Sequence, residues 1–262
     1  MIKLVVTDLD GTLLDSEKQI NPGFWDLHKK MVDKGILFSV ASGRQLYNLE
    51  ETFAQVAQNT LFIAENGTYV RYRGNDLHIA PLEPHYAATF IRIARNIPHT
   101  GLILCCKNAA YLESKDECFI REIKKYYSRV EVVNDLTRVN DIILKLAIYD
   151  AVDSETNSFP HFYDYTDQFK IVVSGKDWMD ISHRSGNKGV ALLKIQKVLG
   201  LRRDEMMAFG DFLNDYEMME VAGHSYAMKN AHPEIKKISR YITDFDNDNN
   251  GVVDTIQKVF AL

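Results

Sequence analysis

The chain has 262 residues, 46% of them hydrophobic, enough to bury one large core or two modest ones. Its formal net charge of −5, with the basic residues dispersed, argues against a nucleic-acid or membrane-surface partner, since either needs a basic face. No run approaches the ~18 apolar residues of a membrane span, and a strand-like segment stands where a signal peptide would lie, so a cytoplasmic protein is expected.

Residues 3–7 read as a buried strand that runs into Asp8-Leu9-Asp10-Gly11-Thr12. Two carboxylates thus arrive together at the carboxyl end of a strand, where open α/β sheets place their ligands. A helix near 22–34, a strand at 36–41 leading into Ser42-Gly43-Arg44, a helix at 45–58 and a strand at 61–64 follow as βαβ units. Asn66-Gly67 precedes a hairpin at 68–78 that is predicted to turn at Gly74-Asn75. The pattern then changes to a helix at 84–96, strands at 102–106 and 110–112, a helix at 115–127, and strands near 130–133, 142–149, 170–173 and 179–183. Strands this frequent, with helices between, read as an α+β layer.

From Asn187 the first pattern resumes. Gly186-Asn187-Lys188-Gly189 opens a helix at 188–199, and a strand at 206–209 runs into Gly210-Asp211-Phe212-Leu213-Asn214-Asp215. A helix at 215–221, a strand at 225–227 and a helix at 233–239 complete it. The simplest organisation is an α/β, doubly wound, Rossmann-like parallel-sheet core built from residues 1–82 and 185–262, with an α+β domain of residues 83–184 inserted into it.

A lone Asp-x-Asp carries little weight, because Asp244-Phe-Asp246 and Asp246-Asn-Asp248 repeat the spacing inside a polar stretch. Singly, Ser42-Gly43 reads as a helix cap, Gly186-Asn187 as a turn, and residues 211–215 as an Asp-rich helix start. Together, in this order and at these separations, the four segments resemble the haloacid dehalogenase superfamily of phosphohydrolases along the whole chain. Within it, the spacing is similar to that of the Cof-type sugar phosphatases, with Asn66-Gly67 and a cap of the type IIB class between the second and third motifs. The segment from Ala227 to Glu234 also matches, although Lys229 stands where that family more often has Gly.

Phosphate monoesters hydrolyse very slowly in water, so positioning and charge neutralisation must supply most of the rate. Carboxylates holding Mg²⁺ do this well, and Asp8 and Asp211 are the candidate side-chain ligands. The resemblance implies that Asp10 adds its backbone carbonyl to the ion. It further implies that Asp8 is a nucleophile forming an aspartyl-phosphate, with Asp10 first protonating the leaving alkoxide and then deprotonating the attacking water. Thr12 is expected to hold the Asp10 carboxyl by hydrogen bonding. Ser42 and the Gly43 N–H suit a phosphoryl oxygen at a helix N-terminus, and Lys188 adds positive charge against the transition state. Asn214 is expected to reach phosphate or orient a ligand, and Asp215 to support the metal and Lys188. Arg44 faces either the leaving group or a core carboxylate.

The implied substrate is a small phosphorylated metabolite, of the sugar phosphate class, taken by a monomer or small homo-oligomer. The core handles only phosphate, so specificity falls to the inserted domain, with residues 169–180, including Lys170 and Asp177, as expected contacts. Two rivals use similar residues: a sugar phosphomutase, which returns the phosphoryl group to a sugar hydroxyl, and a phospho-accepting signalling protein, which has no need of a cap. Residues 246–257 follow the calcium-loop pattern until Gln257 replaces its final Glu, and a solvated acidic turn capping the last helix is the expectation there. His85, His99, His161 and His183 share no spacing, and the three cysteines, Cys105, Cys106 and Cys118, are expected as buried thiols in a reducing compartment.

Overall fold

The computed structural model describes residues 1–261, which form an eight-stranded and a six-stranded sheet. The first opens with β1 (Leu4–Thr7), helix α1 (Gly23–Asp33), β2 (Leu37–Ala41), helix α2 (Leu46–Thr52), β3 (Thr60–Ala64) and the antiparallel hairpin of β4 (Tyr69–Tyr72) and β5 (Asn75–Ile79). The chain then leaves through α3 (Pro84–Ala94) to build the second sheet from β6 (Thr100–Cys106), β7 (Ala110–Leu112), β8 (Val130–Val132), β9 (Ile143–Asp150), β10 (Phe169–Gly175) and β11 (Trp178–His183), with α4 (Glu117–Ile123) between β7 and β8. It returns through α5 (Lys188–Leu199), β12 (Met206–Gly210), α6 (Tyr216–Val221), β13 (His224–Ala227), α7 (Pro233–Ile238), β14 (Tyr241–Ile242) and α8 (Gly251–Phe260).

Strand order in the first sheet is β14-β13-β12-β1-β2-β3-β4-β5, parallel from β14 to β3. Every residue of β1 is buried, as a central strand covered on both faces requires. From β1 the chain lays β2 and β3 on one side and, after the second sheet, β12 to β14 on the other. Strand order therefore reverses between β1 and β12, and the crevice of such a sheet opens at that switch point. Asp8 follows β1 and Asp211 follows β12, so both emerge into it. The second sheet runs β10-β11-β9-β6-β7-β8 and is antiparallel except between β7 and β8. Leu104, Leu146, Ile148 and Ile181 share one buried cluster with Phe90 and Ile91 of α3, whereas Ile103, Cys105 and Ala147 join Ile123 of α4. That alternation is the two-residue period of a strand. No helix is long and apolar enough to cross a membrane among the described residues.

The segment expected as one helix at 45–58 breaks at Phe53 into α2 and a 3-10 turn, Ala54–Asn59. The Thr52 hydroxyl donates back to the Asn48 carbonyl at 2.8 Å, and Phe53 is drawn into a ring cluster with Phe24, Phe38 and Phe62. The helix expected at 115–127 is shortened to α4 because the Asp116 carboxylate caps its start, accepting from the Cys118 and Phe119 N–H groups, while Tyr127 turns inward so that its hydroxyl meets Cys105 Sγ at 3.2 Å. The hairpin turns at Arg73-Gly74 rather than Gly74-Asn75: Tyr72 pairs with Asn75, and both loop residues have positive φ, 50° and 75°, as a tight two-residue hairpin demands. The helical turns at Ser154–Ser158 and Phe159–Tyr165 lack periodicity; the first rests on the Asp153 cap and the buried Asp150, and the second continues from it with Pro160 in its first turn. Cys105 and Cys106 are buried thiols, but Cys118 is exposed.

One turn binds the two halves of the first sheet together. Gly67 has φ +95°, and a Cβ there would lie 2.4 Å from the Asn187 carbonyl oxygen, immediately before α5. Gly67→Ala is therefore expected to lower stability by about 1–3 kcal/mol, measured as a fall in the urea midpoint. An unchanged midpoint would show that the α5 N-terminus gives way freely.

Candidate active site

Four elements meet at the switch point. β1 delivers Asp8 and Asp10, β12 delivers Asp211, the first turn of α5 delivers Lys188, and a 3-10 turn, Leu213–Asp215, delivers Asp215. Asn187 caps α5 by accepting from the Val190 N–H at 2.8 Å, which fixes where Lys188 starts. Lys188 is wholly buried, and its Nζ lies 2.6 Å from both Asp8 Oδ1 and Asp215 Oδ1. The other Asp215 oxygen accepts from the Asp211 N–H at 3.0 Å and the Phe212 N–H at 3.2 Å, so Asp215 orients both Lys188 and the Asp211 backbone. Gly11 is needed between the carboxylates: its φ is +83°, and a Cβ there would sit 2.5 Å from Asp211 Oδ2.

Asp8, Asp211 and Asp215 can bring one carboxylate oxygen each to within 4.8 Å of the others. Burial pushes the Asp8 carboxyl well above the ordinary range; the Lys188 ammonium opposes this, and Asp215 and Asp211 reinforce it. Asp211 is pushed up to about 6 by burial and by Asp215, against the Thr12 hydrogen bond. A buried cluster with more carboxylates than cations, and only hard oxygen donors, fits a divalent cation such as Mg²⁺. Asp215 thus joins the two expected side-chain candidates, Asp8 and Asp211. Asp10 does not share the cluster: its carboxylate takes a two-pronged bond from Arg44, with Nε to Oδ2 at 2.8 Å and Nη2 to Oδ1 at 2.7 Å, and a third from Lys18 at 2.9 Å. Burial alone would raise Asp10, but these two cations outweigh it and hold the group below the usual carboxylate range. Arg44 thus pairs with a core carboxylate.

Thr12 is also placed differently. Its hydroxyl donates to Asp211 Oδ1 at 2.8 Å, not to Asp10, because Asp10 is already satisfied by cations and Asp211 stands directly across the turn. Ser42 is not a helix cap either, since α2 begins at Leu46; it lies in the preceding loop, where its Oγ accepts from the Arg44 N–H at 3.2 Å. Asn214 donates to Asn66 Oδ1 at 3.2 Å, and Asn66 donates to Asp180 Oδ2 at 2.9 Å, a relay from the first sheet to the second. Asn66 adopts a left-handed backbone, φ 56°, which Asn tolerates better than most residues.

These groups floor a cavity of about 370 Å³ whose opposite wall is formed by Ser174, Trp178 and Asp180 of the second sheet and by Tyr126, which follows α4. Of the residues expected from 169–180, Lys170 instead pairs with Glu217, and Asp177 meets the Asp150 N–H through its carbonyl without lining the cavity. No histidine lines it. Sequence reasoning missed Lys18, Glu65 and Lys145, whereas Asp180 closes the 169–180 segment expected to meet the substrate. The one signal available was a lysine in the middle of the otherwise apolar run at 143–148. In the 246–257 loop the candidate ligands are spent on protein partners: Asp248 on Ser16, Asp246 on Asn249, Asn250 on Asn21, and Asp254 on Lys258. It is a turn leading into α8.

Residues 5–256 match the model of the haloacid dehalogenase-like hydrolase family. The chain is 33% identical over 262 residues to the 5-amino-6-(5-phospho-D-ribitylamino)uracil phosphatase YbjI of Escherichia coli K12, covering 98% of this chain and 96% of that protein. It is 26% identical to the Bacillus subtilis phosphatase YwtE, named for the same compound, over 99% of both chains. Among solved structures, the SMU.1108c protein of Streptococcus mutans UA159 superposes with a TM-score of 0.91 at 27% identity, over the full length of both. With its motifs gathered at one switch point and the family match spanning nearly all of its length, the chain belongs to the haloacid dehalogenase-like hydrolases.

Proposed function

We propose that this chain, a phosphatase of that family, hydrolyses the phosphomonoester of a small phosphorylated metabolite in a Mg²⁺-dependent reaction through a phosphorylated Asp8. The observation that carries this is the Asp8 carboxylate, held at 2.6 Å by a buried ammonium, beside Asp211, on the floor of a cavity large enough for a small metabolite. Asp8 attacks phosphorus, the ester P–O bond breaks, and Asp10 gives its proton to the departing alkoxide. Asp10 then takes a proton from the water that attacks the acyl-phosphate, which releases inorganic phosphate and regenerates Asp8. Arg44 and Lys18 favour the ionised Asp10 of the base half; for the acid half Asp10 must first take up a proton, which a bound phosphoryl group favours by adding negative charge beside it and drawing these two cations toward itself. Mg²⁺ held by Asp8, Asp211 and the Asp10 carbonyl, with Asp215 in support, would neutralise phosphoryl charge. Ser42, Gly43 and Asn214 are assigned to the phosphoryl oxygens and Lys188 to the transition-state charge.

The second sheet, residues 83–184, serves as a cap that covers the leaving group. Ser174 and Asp180 offer polar contacts for sugar or polyol hydroxyls, and Tyr126 and Trp178, with ring centroids 5.5 Å apart, offer an aromatic surface. That combination supports a phosphorylated sugar or polyol, including one that carries a planar heterocycle as in the compound for which the two relatives are named.

Phosphate release from sugar phosphates, the ribitylaminouracil phosphate, nucleotides and an aryl phosphate tests this. Release with Mg²⁺ that stops in chelator, and is fastest for a sugar or polyol ester, is expected. Release that persists in chelator would remove the metal, and activity that requires an added sugar bisphosphate would point to phosphoryl transfer between hydroxyls instead.

A further inference from the structure

Three consecutive carbonyls of the 42–44 loop are each held from behind. The Ser42 carbonyl accepts from the Asn66 N–H at 2.9 Å and the Arg44 carbonyl from the Glu65 N–H at 3.0 Å, both from the adjoining turn. The Gly43 carbonyl accepts from Lys145 Nζ at 3.1 Å, and Lys145 lies in β9, in the other sheet. Its side chain is buried between Leu144 and Leu146 in sequence, where an apolar residue would pack at lower cost. Glu65 Oε2 at 3.0 Å and Asp180 Oδ1 at 3.1 Å balance its charge. The Glu65 contact is oblique, leaving both carboxylate oxygens without a well-aligned donor, so the well-directed hydrogen bond of the ammonium is the one to the loop.

We propose that Lys145 is a positioning residue that sets the phosphate-holding loop from the second sheet. A peptide unit is planar, with its C=O and N–H opposed. Holding the Gly43 carbonyl therefore aims the Arg44 N–H the other way, where it meets Ser42 Oγ at 3.2 Å. Ser42 Oγ accepts that bond and keeps its own hydrogen free to donate to a phosphoryl oxygen. The loop thus takes its working shape when the second sheet is seated over it.

This inference rests on the hydrolase reading, and its test separates the two. Lys145→Met is expected to lower kcat/KM by the same factor, about tenfold to hundredfold, for an aryl phosphate and a sugar phosphate, and to weaken binding of inorganic phosphate by a similar factor. Because the single change leaves two carboxylates unpaired, Lys145→Met with Glu65→Gln is measured beside it; that pair of changes removes one charge of each sign. Losses that differ between the two substrates would make Lys145 a leaving-group contact, and unaltered kinetics with a lowered melting temperature would make it a structural tie. Either overturns the proposal, as would failure of both variants to fold. Should the wild type release phosphate from no compound, the hydrolase reading falls, whereas calorimetric phosphate binding by wild type and variant still decides the role of Lys145.

Discussion

Asp8→Asn is expected to lower phosphate release by about four orders of magnitude or more, with thermal stability equal to or above that of the wild type. The two halves of this expectation have one cause. Asn keeps the shape of Asp but cannot attack phosphorus, so the covalent step is lost. The same change removes one negative charge from a buried cluster in which Asp8, Asp211 and Asp215 face the single Lys188 ammonium. Burial and the neighbouring carboxylates already push Asp8 toward its neutral form, so neutralising it permanently relieves repulsion. Lys188 retains Asp215 at 2.6 Å, and the α5 N-terminus stays where it is. Steady-state release and a thermal melt on one preparation check both halves. Retained turnover would move the nucleophile elsewhere, and a collapse of the melt would mean that Asp8 is needed for folding.

Lys188→Met is expected to cost activity and stability together. It leaves Asp8 and Asp215 buried without their shared ammonium, and breaking a buried pair in this way costs about 3–5 kcal/mol. For a chain of this size that is a fall on the order of 10 °C in melting temperature. Turnover should fall by about 10²- to 10³-fold with the loss of a charge aimed at the transition state. Divalent cations should restore part of the lost stability, because a bound Mg²⁺ supplies the charge that the cluster then lacks. Melts with and without Mg²⁺ test this, and a melting temperature that neither falls nor responds to the ion would show that Lys188 does not hold these carboxylates. The two substitutions thus both impair turnover, but only Lys188→Met lowers stability, which separates a site governed by charge balance from one governed by shape.

Most of the architecture was legible in the chain because its signals are local. The residues of β1 and β12 read as apolar runs, Gly186-Asn187-Lys188-Gly189 marks where α5 opens, and the polar loops after each strand stand out against them. Elements that depend on a single anchoring side chain were harder to see. The break at Phe53, the short α4 and the turn at Ser154–Ser158 follow from a back-bonding hydroxyl, a capping carboxylate and a buried Asp150, none of which leaves a period in the sequence.

The same division holds at the site. By itself the sequence determined which loops carry carboxylates, hydroxyl and amine to the ends of strands and helices, since a motif of a few residues dictates its own turn and cap. Which of those groups touch was decided by tertiary structure alone: Thr12 bonds Asp211 across 199 residues, Arg44 and Lys18 close on Asp10, and Lys145 reaches from the second sheet to Gly43. Hydrogen bonds and ion pairs extend only about 3 Å, so partnership rests on the register of strands that lie far apart in the chain, and register comes from packing the whole core.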